Sequence, residues 1–387
     1  MPPVVIRHKR ALIIGLNYTH NPSWKLKGAQ NEIIAASALL RDTYMFSATD
    51  VVVMSDYEGI DDSLLPTRAN IIHQLNNFVV VGNENTDYVF IYAGHTDQFP
   101  DTMELEEDGM AECIVPYDAI PLADEAPDEN KVIFDFELNQ YMIRRLGRGS
   151  RLTAIAASCH SATLLNLPHY RCNRPFRHLA SKDGARHTLR RFVCNPLEVT
   201  VTKMPRVGRQ SESPDDVTLS DSSRYVVRKR VRIGDPAYQE AQGVCTGLCC
   251  LPVVEVDGSN APTVVCISAC KDGEKTFEDR DGNSMLQCII DYLKKNNTPT
   301  LEEVMIHVQD NAEETFDAVR AHQKQHGDSS RRHLFQRGHD SMLAKRWEPQ
   351  LSSTQPLNLK SQLILCQMPI PSPFHGSSRS YRASNRL

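Results

Sequence analysis

Long apolar runs are missing from this chain of 387 residues. A membrane-spanning helix needs about 18 to 20 consecutive apolar residues, and stretches such as "ALIIGL" and "VVVM" break off after a few. No membrane partner is expected. An excess of one charge is missing too: 43 Lys and Arg stand against 48 Asp and Glu, a formal net charge of -5, which selects neither nucleic acid nor an anionic lipid surface. A regular cysteine framework is absent, because the 11 Cys are odd in number and scattered, and no basic leader with an apolar core opens "MPPVVIRHKRALIIGL". A reducing, intracellular setting is expected, cytoplasmic or nuclear. "CTGLCC" (Cys245, Cys249, Cys250) lacks a second ligand pair at finger spacing, so zinc is not expected. "GLNYTHNPSWKLKG" after the first apolar run has neither a G-x-G-x-x-G nor a Walker pattern, which argues against a bound nucleotide.

What is present has ordinary globular composition, with 41% hydrophobic and 24% charged residues. "ALIIGL" (11–16) reads as a buried strand, followed by a helical stretch with Ile33, Ala36, Leu39 and Leu40 at helical spacing. "DVVVMSD" and then "TRANIIHQLNNFVV", with Thr67 as N-cap, repeat the unit. "DYVFIYAGH" from Asp87, "LTAIAASC" from Leu152 and "PTVVCISAC" from Pro262 read as three more fully buried strands. "NSMLQCIIDYLKK" and "LEEVMIHVQDNAEETFDAV" read as helices. Near-continuous apolar strands alternating with helices predict an α/β fold: a doubly wound, mostly parallel sheet with helices on both faces, an α/β/α sandwich.

In such sheets reactive groups gather outside the carboxyl ends of the strands. His95 follows one predicted strand and Cys159 another, so neighbouring strands would open both side chains onto one edge. A thiol with a pKa near ~8.5 needs a nearby base or positive group to act as a nucleophile. His95 can be that base, whereas His160, adjacent to Cys159, points elsewhere. The amides of Cys159 and of Thr96, the residue after His95, are candidate oxyanion donors. Taken singly, Cys159 also reads as a small core residue and His95 as a turn residue. Asp97 and Gln98 can orient substrate or simply belong to a solvated loop.

The ordered combination "YAGHTDQ", "EDGMAECIVPYDA", "LTAIAASCHSATLLNLPHY" and "CISACKDGEKTFED" resembles the metacaspases, caspase-like cysteine peptidases of the C14 type. "RALIIGLNY", "LKGAQNEIIAASALL", "TRANIIHQL" and "WEPQLSSTQPLNLKSQLIL" resemble family segments as well, and "LPHYRCNRPF" resembles the fungal branch. The resemblance implies a caspase-like fold, His95 as general base, Cys159 as nucleophile, and cleavage of protein or peptide substrates after Lys or Arg, with no nucleic-acid partner. It also implies a monomer and a role in cell death. The departures from the family pattern are specific. Ala157 replaces an Asp, Ala93 a Ser, and Glu32 an Asp in the acidic substrate pocket; Cys270 and Asp272 resemble the segment beside the cleft. Thr96 and Ala162 replace glycines. Of the positions matching the family's calcium site, Ala111, Asp135, Phe136 and Asn166, only Asp135 is still a carboxylate, so no cofactor is expected and calcium dependence is doubtful. Read as a protein residue alone, Asp135 caps a helix.

The expected organisation is residues 8–171 as the first part of a caspase-like domain carrying the two reactive residues, 172–243 as a basic and polar insertion, partly disordered, 244–370 as the rest of that domain, and 371–387 as a disordered tail. Arg190, Arg191 and the Arg228-Lys229-Arg230 run in the insertion are candidate self-cleavage sites. Two rivals to an active peptidase remain: a catalytically silent relative that binds or regulates, and an α/β domain binding a small molecule at its switch point.

Overall fold

The computed structural model describes residues 7–101, 109–122, 126–159, 161, 163–170, 172–173, 260–271, 274, 276, 278, 282, 284–325, 347–363 and 365. Strands β1 (His8–Gly15), β2 (Val51–Ser55), β3 (Thr86–Ala93), β7 (Arg151–Ala157), β8 (Thr263–Ser268) and β9 (Gln350–Ser353) form one sheet in the order β2-β1-β3-β7-β8-β9. Only β9, at the edge beside β8, is antiparallel. All eight residues of β3 are buried, which a strand reaches only when both faces of its sheet are covered.

The cover follows from side-chain periodicity. On one face Ala11 and Ile13 of β1 meet Ile33 and Leu40 of α1 (Ala29–Asp42), Ile289 and Leu293 of α4 (Met285–Lys295), and Val304 and Val308 of α5 (Leu301–Gln325). On the other face Leu12 and Ile14 meet Ile71 and Leu75 of α2 (Arg68–Phe78) and Leu138 of α3 (Asp135–Tyr141). The expected α/β/α sandwich is the observed fold. Thr67 caps α2 by accepting from the amide of Asn70, as expected. Among the described residues no helix is long and apolar enough to cross a membrane.

Two features differ from expectation. A small antiparallel sheet of β4 (Thr96–Pro100), β5 (Met110–Ile114) and β6 (Ile133–Phe134) packs beside the main one, and neither it nor β9 carries the apolar signature of the core strands. Asp135 does not occupy the N-cap of α3. That position is Phe134, whose amide donates to Glu137 at 3.1 Å, and the helix starts at Asp135 itself. The glutamate reaching back over the first turn makes the cap one residue earlier than the Asp suggested.

Strands β7 and β8 pair along six positions although most of the residues between them, 174–259, lie outside the described set. The basic insertion with its candidate cleavage sites, the cysteines of "CTGLCC" and the tail from 366 onward fall there too. At the amino-terminal edge of the sheet, Asp87 bridges Arg7 and Arg151, both at 2.7 Å. Burial alone would raise the Asp87 carboxyl, but the two guanidinium groups outweigh it and hold it below its ordinary value.

Candidate active site

Strands β3 and β7 are parallel neighbours with Ala93 in register with Ala157. His95 and Cys159 each lie two residues beyond that pair, at the carboxyl edge. Equal spacing from a shared register carries both chains over the same edge, which is why a sequence separation of more than sixty residues does not keep them apart.

The imidazole of His95 is fixed from several sides. Its Nε2 donates to the carbonyl of Trp24 at 2.7 Å, which identifies the neutral tautomer as Nε2–H and leaves the lone pair on Nδ1. The Trp24 ring meets it edge-on at 5.2 Å, and the Tyr18 ring lies 4.9 Å away. Burial holds His95 below its ordinary pKa, and only in part do the Trp24 carbonyl and the Asp97 carboxylate offset this. Gly94, just before it, has no room for a Cβ, which would sit 2.8 Å from the Tyr92 hydroxyl and 3.0 Å from that of Tyr18.

Cys159 is half-buried. Its Sγ donates to the carbonyl of Thr276 at 3.7 Å, and its own carbonyl accepts from the Thr96 hydroxyl. Thr96 is thus a tie between the start of β4 and the turn after β7, a contact that a glycine there could not make. Neither Gly94 nor Thr96 takes a positive φ, so the replacement of glycine by Thr96 leaves no strain at this point. In the β4–β5 ladder the amide of Val115 donates to His95 and that of Asp101 to Gly109. Alternation then turns the Thr96 amide away from β5. His160 and Ala162 lie outside the described residues.

The residues expected around the substrate side chain are placed as follows. Ala93 and Ala157 are buried with the apolar face that α1 and α4 cover. Glu32 is 2% exposed. Its oxygens accept from the amide of Ser284 at 2.6 Å and from the Ser284 hydroxyl at 2.9 Å. Ser284 is the N-cap of α4, so the Glu32 carboxylate is engaged in holding a helix end, contrary to the expectation of an open pocket acid. Burial pushes the Glu32 carboxyl up, with Ser284 opposing and Glu278 adding to the shift. Cys270 is fully buried, with Sγ 3.4 Å from the Glu274 carbonyl, and packs with Ala312 and Trp347. That is its packing alternative rather than a cleft-facing one. Asp272 lies outside the described residues. Gln98 donates to Glu112 at 2.8 Å, which ties it to the small sheet.

Sequence reasoning missed the chain after β8. Glu278 accepts from the amides of Lys27 and Gly28, both at 3.1 Å, and a Cβ on Gly28 would lie 1.6 Å from the Gly282 carbonyl. These contacts hold Glu278 and Gly282 against the chain that opens α1, while Thr276, between Glu274 and Glu278 in sequence, meets Cys159. Trp24 was missed as well, because what it supplies is a backbone carbonyl that any residue type carries.

Asp135 is buried; its oxygens accept from the Phe136 amide at 2.7 Å and from Asn166 Nδ2 at 3.0 Å. The nearby Glu112 accepts from Gln98 and from the Thr163 hydroxyl at 2.8 Å. Among the described residues, no group of three or more His, Cys, Asp or Glu is placed to hold a metal ion.

The model of the metacaspase, peptidase C14 domain, matches residues 9–168. That segment is similar to the metacaspases in its succession of strands and reactive residues. Metacaspase-1 of Scheffersomyces stipitis is 35% identical over 161 residues, 42% of this chain and 38% of that protein. Metacaspase-1 of Saccharomyces cerevisiae S288c is 35% identical over 161 residues, covering 42% and 35%, and that of Cryptococcus neoformans is 35% identical, covering 42% and 33%. The chain therefore spans only about a third to two fifths of these fungal relatives. Among solved structures, a Geobacter sulfurreducens protein superposes with a TM-score of 0.45 at 14% identity, covering 92% of this chain and 97% of that one. Caspase-1 from Spodoptera frugiperda gives a TM-score of 0.35 at 10% identity, covering 94% and 93%. The matched segment contributes β1 to β7 and contains both His95 and Cys159, while β8 and β9 complete the sheet from beyond it.

Proposed function

We propose that this chain is a cysteine-type endopeptidase in which Cys159 is the nucleophile and His95 the general base. The observation that supports this most is the register of Ala93 with Ala157, two residues before His95 and Cys159 on neighbouring strands, together with a tautomer that leaves the His95 Nδ1 lone pair available. In the proposed reaction Nδ1 takes the proton from Cys159 Sγ, and the thiolate attacks the peptide carbonyl. The amides of Thr96 and Cys159 hold the oxyanion. Collapse breaks the C–N bond, with His95 returning the proton to the leaving amine. Water, deprotonated by His95, then splits the thioester and restores the thiol.

Peptides and proteins are the proposed substrates. Selection of Lys or Arg is expected to be weak, because Ala93 and Ala157 carry no charge and Glu32 is engaged by Ser284. A basic side chain there would lose the paired carboxylate that makes its burial favourable. Calcium is not expected to be needed, since Ala111 and Phe136 supply no oxygen side chain and Asp135 is bonded to Phe136 and Asn166. A monomer, a cytoplasmic or nuclear location, a part in cell death, and self-cleavage after Arg190, Arg191 or the 228–230 run are carried over from the resemblance as proposals.

The test is cleavage of a peptide library varied at the residue before the scissile bond, by the full chain and by Cys159→Ala and His95→Ala. Thiol-dependent cleavage lost in both variants supports the reading. A second reading, a silent relative that binds without cutting, is favoured by the departures at Ala93, Ala111, Phe136 and Ala157 and by the engagement of Glu32 with Ser284. Peptide binding by a folded wild-type chain without turnover would establish it.

A further inference from the structure

We infer that Tyr18 and Tyr92 are positioning residues that clamp the backbone of His95 and so set where its imidazole stands relative to Cys159. The Tyr18 hydroxyl accepts from the His95 amide at 3.0 Å and donates to the Val115 carbonyl at 2.6 Å. The Tyr92 hydroxyl donates to the His95 carbonyl at 2.5 Å. The two hydroxyls are 3.3 Å apart. Both main-chain groups of His95 are thereby held by side chains from two different strand ends, with the Tyr18 ring lying against the imidazole itself.

Three further observations make this more than incidental packing. Tyr18 has φ 51 while being fully buried, and left-handed backbone carries a steric cost for a non-glycine residue. That cost is offset only if the ring is required where it stands. Gly94 is the second observation: a Cβ there would collide with both hydroxyls, so the turn leading to His95 is shaped around them. The third is protonation. Burial drives both phenols well above their ordinary values, with the neighbouring tyrosine adding for Tyr18, so each remains a hydrogen-bond donor at any working pH. The charged and titratable groups facing this cluster are Asp56 toward Tyr18, Cys113 toward Tyr92 and Asp97 toward His95.

Loss of the Tyr18 hydroxyl removes the acceptor of the His95 amide, and loss of the Tyr92 hydroxyl leaves the His95 carbonyl with only the Val115 amide at 3.0 Å, so in either case the turn relaxes. A misplacement of about 1 Å costs a proton-transfer pair about tenfold or more in rate. The inference rests on the peptidase reading only in that it assigns His95 as the base for Cys159. The test is therefore read at Cys159 itself: the pH profile of its alkylation by iodoacetamide, resolved by mass spectrometry, in the full wild-type chain, His95→Ala, Tyr18→Phe and Tyr92→Phe. The wild type should show a His95-dependent inflection absent from His95→Ala. Tyr18→Phe, which keeps the ring, should melt near the wild type yet lose about tenfold or more of the His95-dependent rate and move toward the profile of an isolated thiol. Tyr92→Phe should do the same through the carbonyl side, and it carries the test if Tyr18→Phe does not fold. Folded Tyr→Phe variants with the wild-type profile would overturn the clamp while leaving the His95–Cys159 pairing intact. A wild type without any His95-dependent inflection would overturn the pairing and the clamp with it.

Discussion

The role proposed for His95 as a base requires that it be held neutral. Burial lowers its pKa despite the Trp24 carbonyl and Asp97, so Nδ1 is unprotonated at neutral pH and remains so to below the ordinary value near ~6.5. The acidic limb of Cys159-dependent cleavage should accordingly fall below that value, as a kcat/KM profile against pH will show. A limb at or above it would mean that the imidazole is not in the environment described. The same shift bears on stability. The folded state resists protonating His95, so its contribution is full above the unfolded value and declines as pH falls from there toward the folded one. Glu32 has the opposite sign, because its folded pKa is raised: its contribution is greatest below the unfolded value and declines as pH rises through the folded one. Thr96 offers a separate check. Thr96→Val removes the hydroxyl that ties β4 to the Cys159 carbonyl, and should cost about 1 kcal/mol in denaturant titration while lowering turnover by more than that loss of stability explains.

Among the elements, α1 and α4 carry the consequences. Glu32→Ala leaves the Ser284 amide and hydroxyl without the oxygens that hold them, so the N-terminal turn of α4 should fray, with about 1 to 2 kcal/mol lost in thermal or urea unfolding. Gly28→Ala should be harsher for the site than for the fold. Its Cβ meets the Gly282 carbonyl, so the chain that places the Thr276 carbonyl against Cys159 has to move, and a crystal structure of the variant should show Thr276 displaced. At the far edge of the sheet, Asp87→Asn leaves Arg7 and Arg151 without their carboxylate, at a cost of about 2 kcal/mol for a partly buried bridge. Asp87 is held below its ordinary pKa. Its contribution is present above the unfolded value near ~3.9 and is lost as pH falls through the folded one, a window that acid unfolding of wild type against Asp87→Asn will reveal.

How much of this was legible varies with the kind of interaction. The core strands β1, β3 and β7 announce themselves as apolar runs because both their faces are covered, and α1 by apolar residues on one face. That His95 and Cys159 share an edge was legible for the same reason, since both follow buried strands. The small sheet and β9 were not, because short strands of mixed polarity lack a two-residue alternation long enough to read. The engagement of Glu32 by Ser284 joins residues far apart in the chain, and no local pattern signals it. The Trp24 and Thr276 carbonyls are backbone atoms, silent in any sequence.

Among the described residues the main six-stranded sheet is assembled from both sides of a long intervening segment, with β1 to β7 inside the stretch 9–168 that resembles metacaspases and its last two strands supplied from beyond it. The chemistry of the molecule is proposed to need no divalent cation, so chelator and added calcium should leave both melting temperature and peptide turnover unchanged; a calcium-dependent rise in either would show that Asp135 and its neighbours bind after all. The central claim is that the edge beyond Ala93 and Ala157 works as a thiol acyl-transfer site. The most direct measurement is turnover of the library varied before the scissile bond by wild type, Cys159→Ala and His95→Ala at matched folded concentrations. The account predicts cleavage by the wild type alone, with Lys and Arg only weakly preferred over neutral side chains. Cleavage that survives Cys159→Ala, or a well-folded wild type that cuts no member of the library, would contradict it.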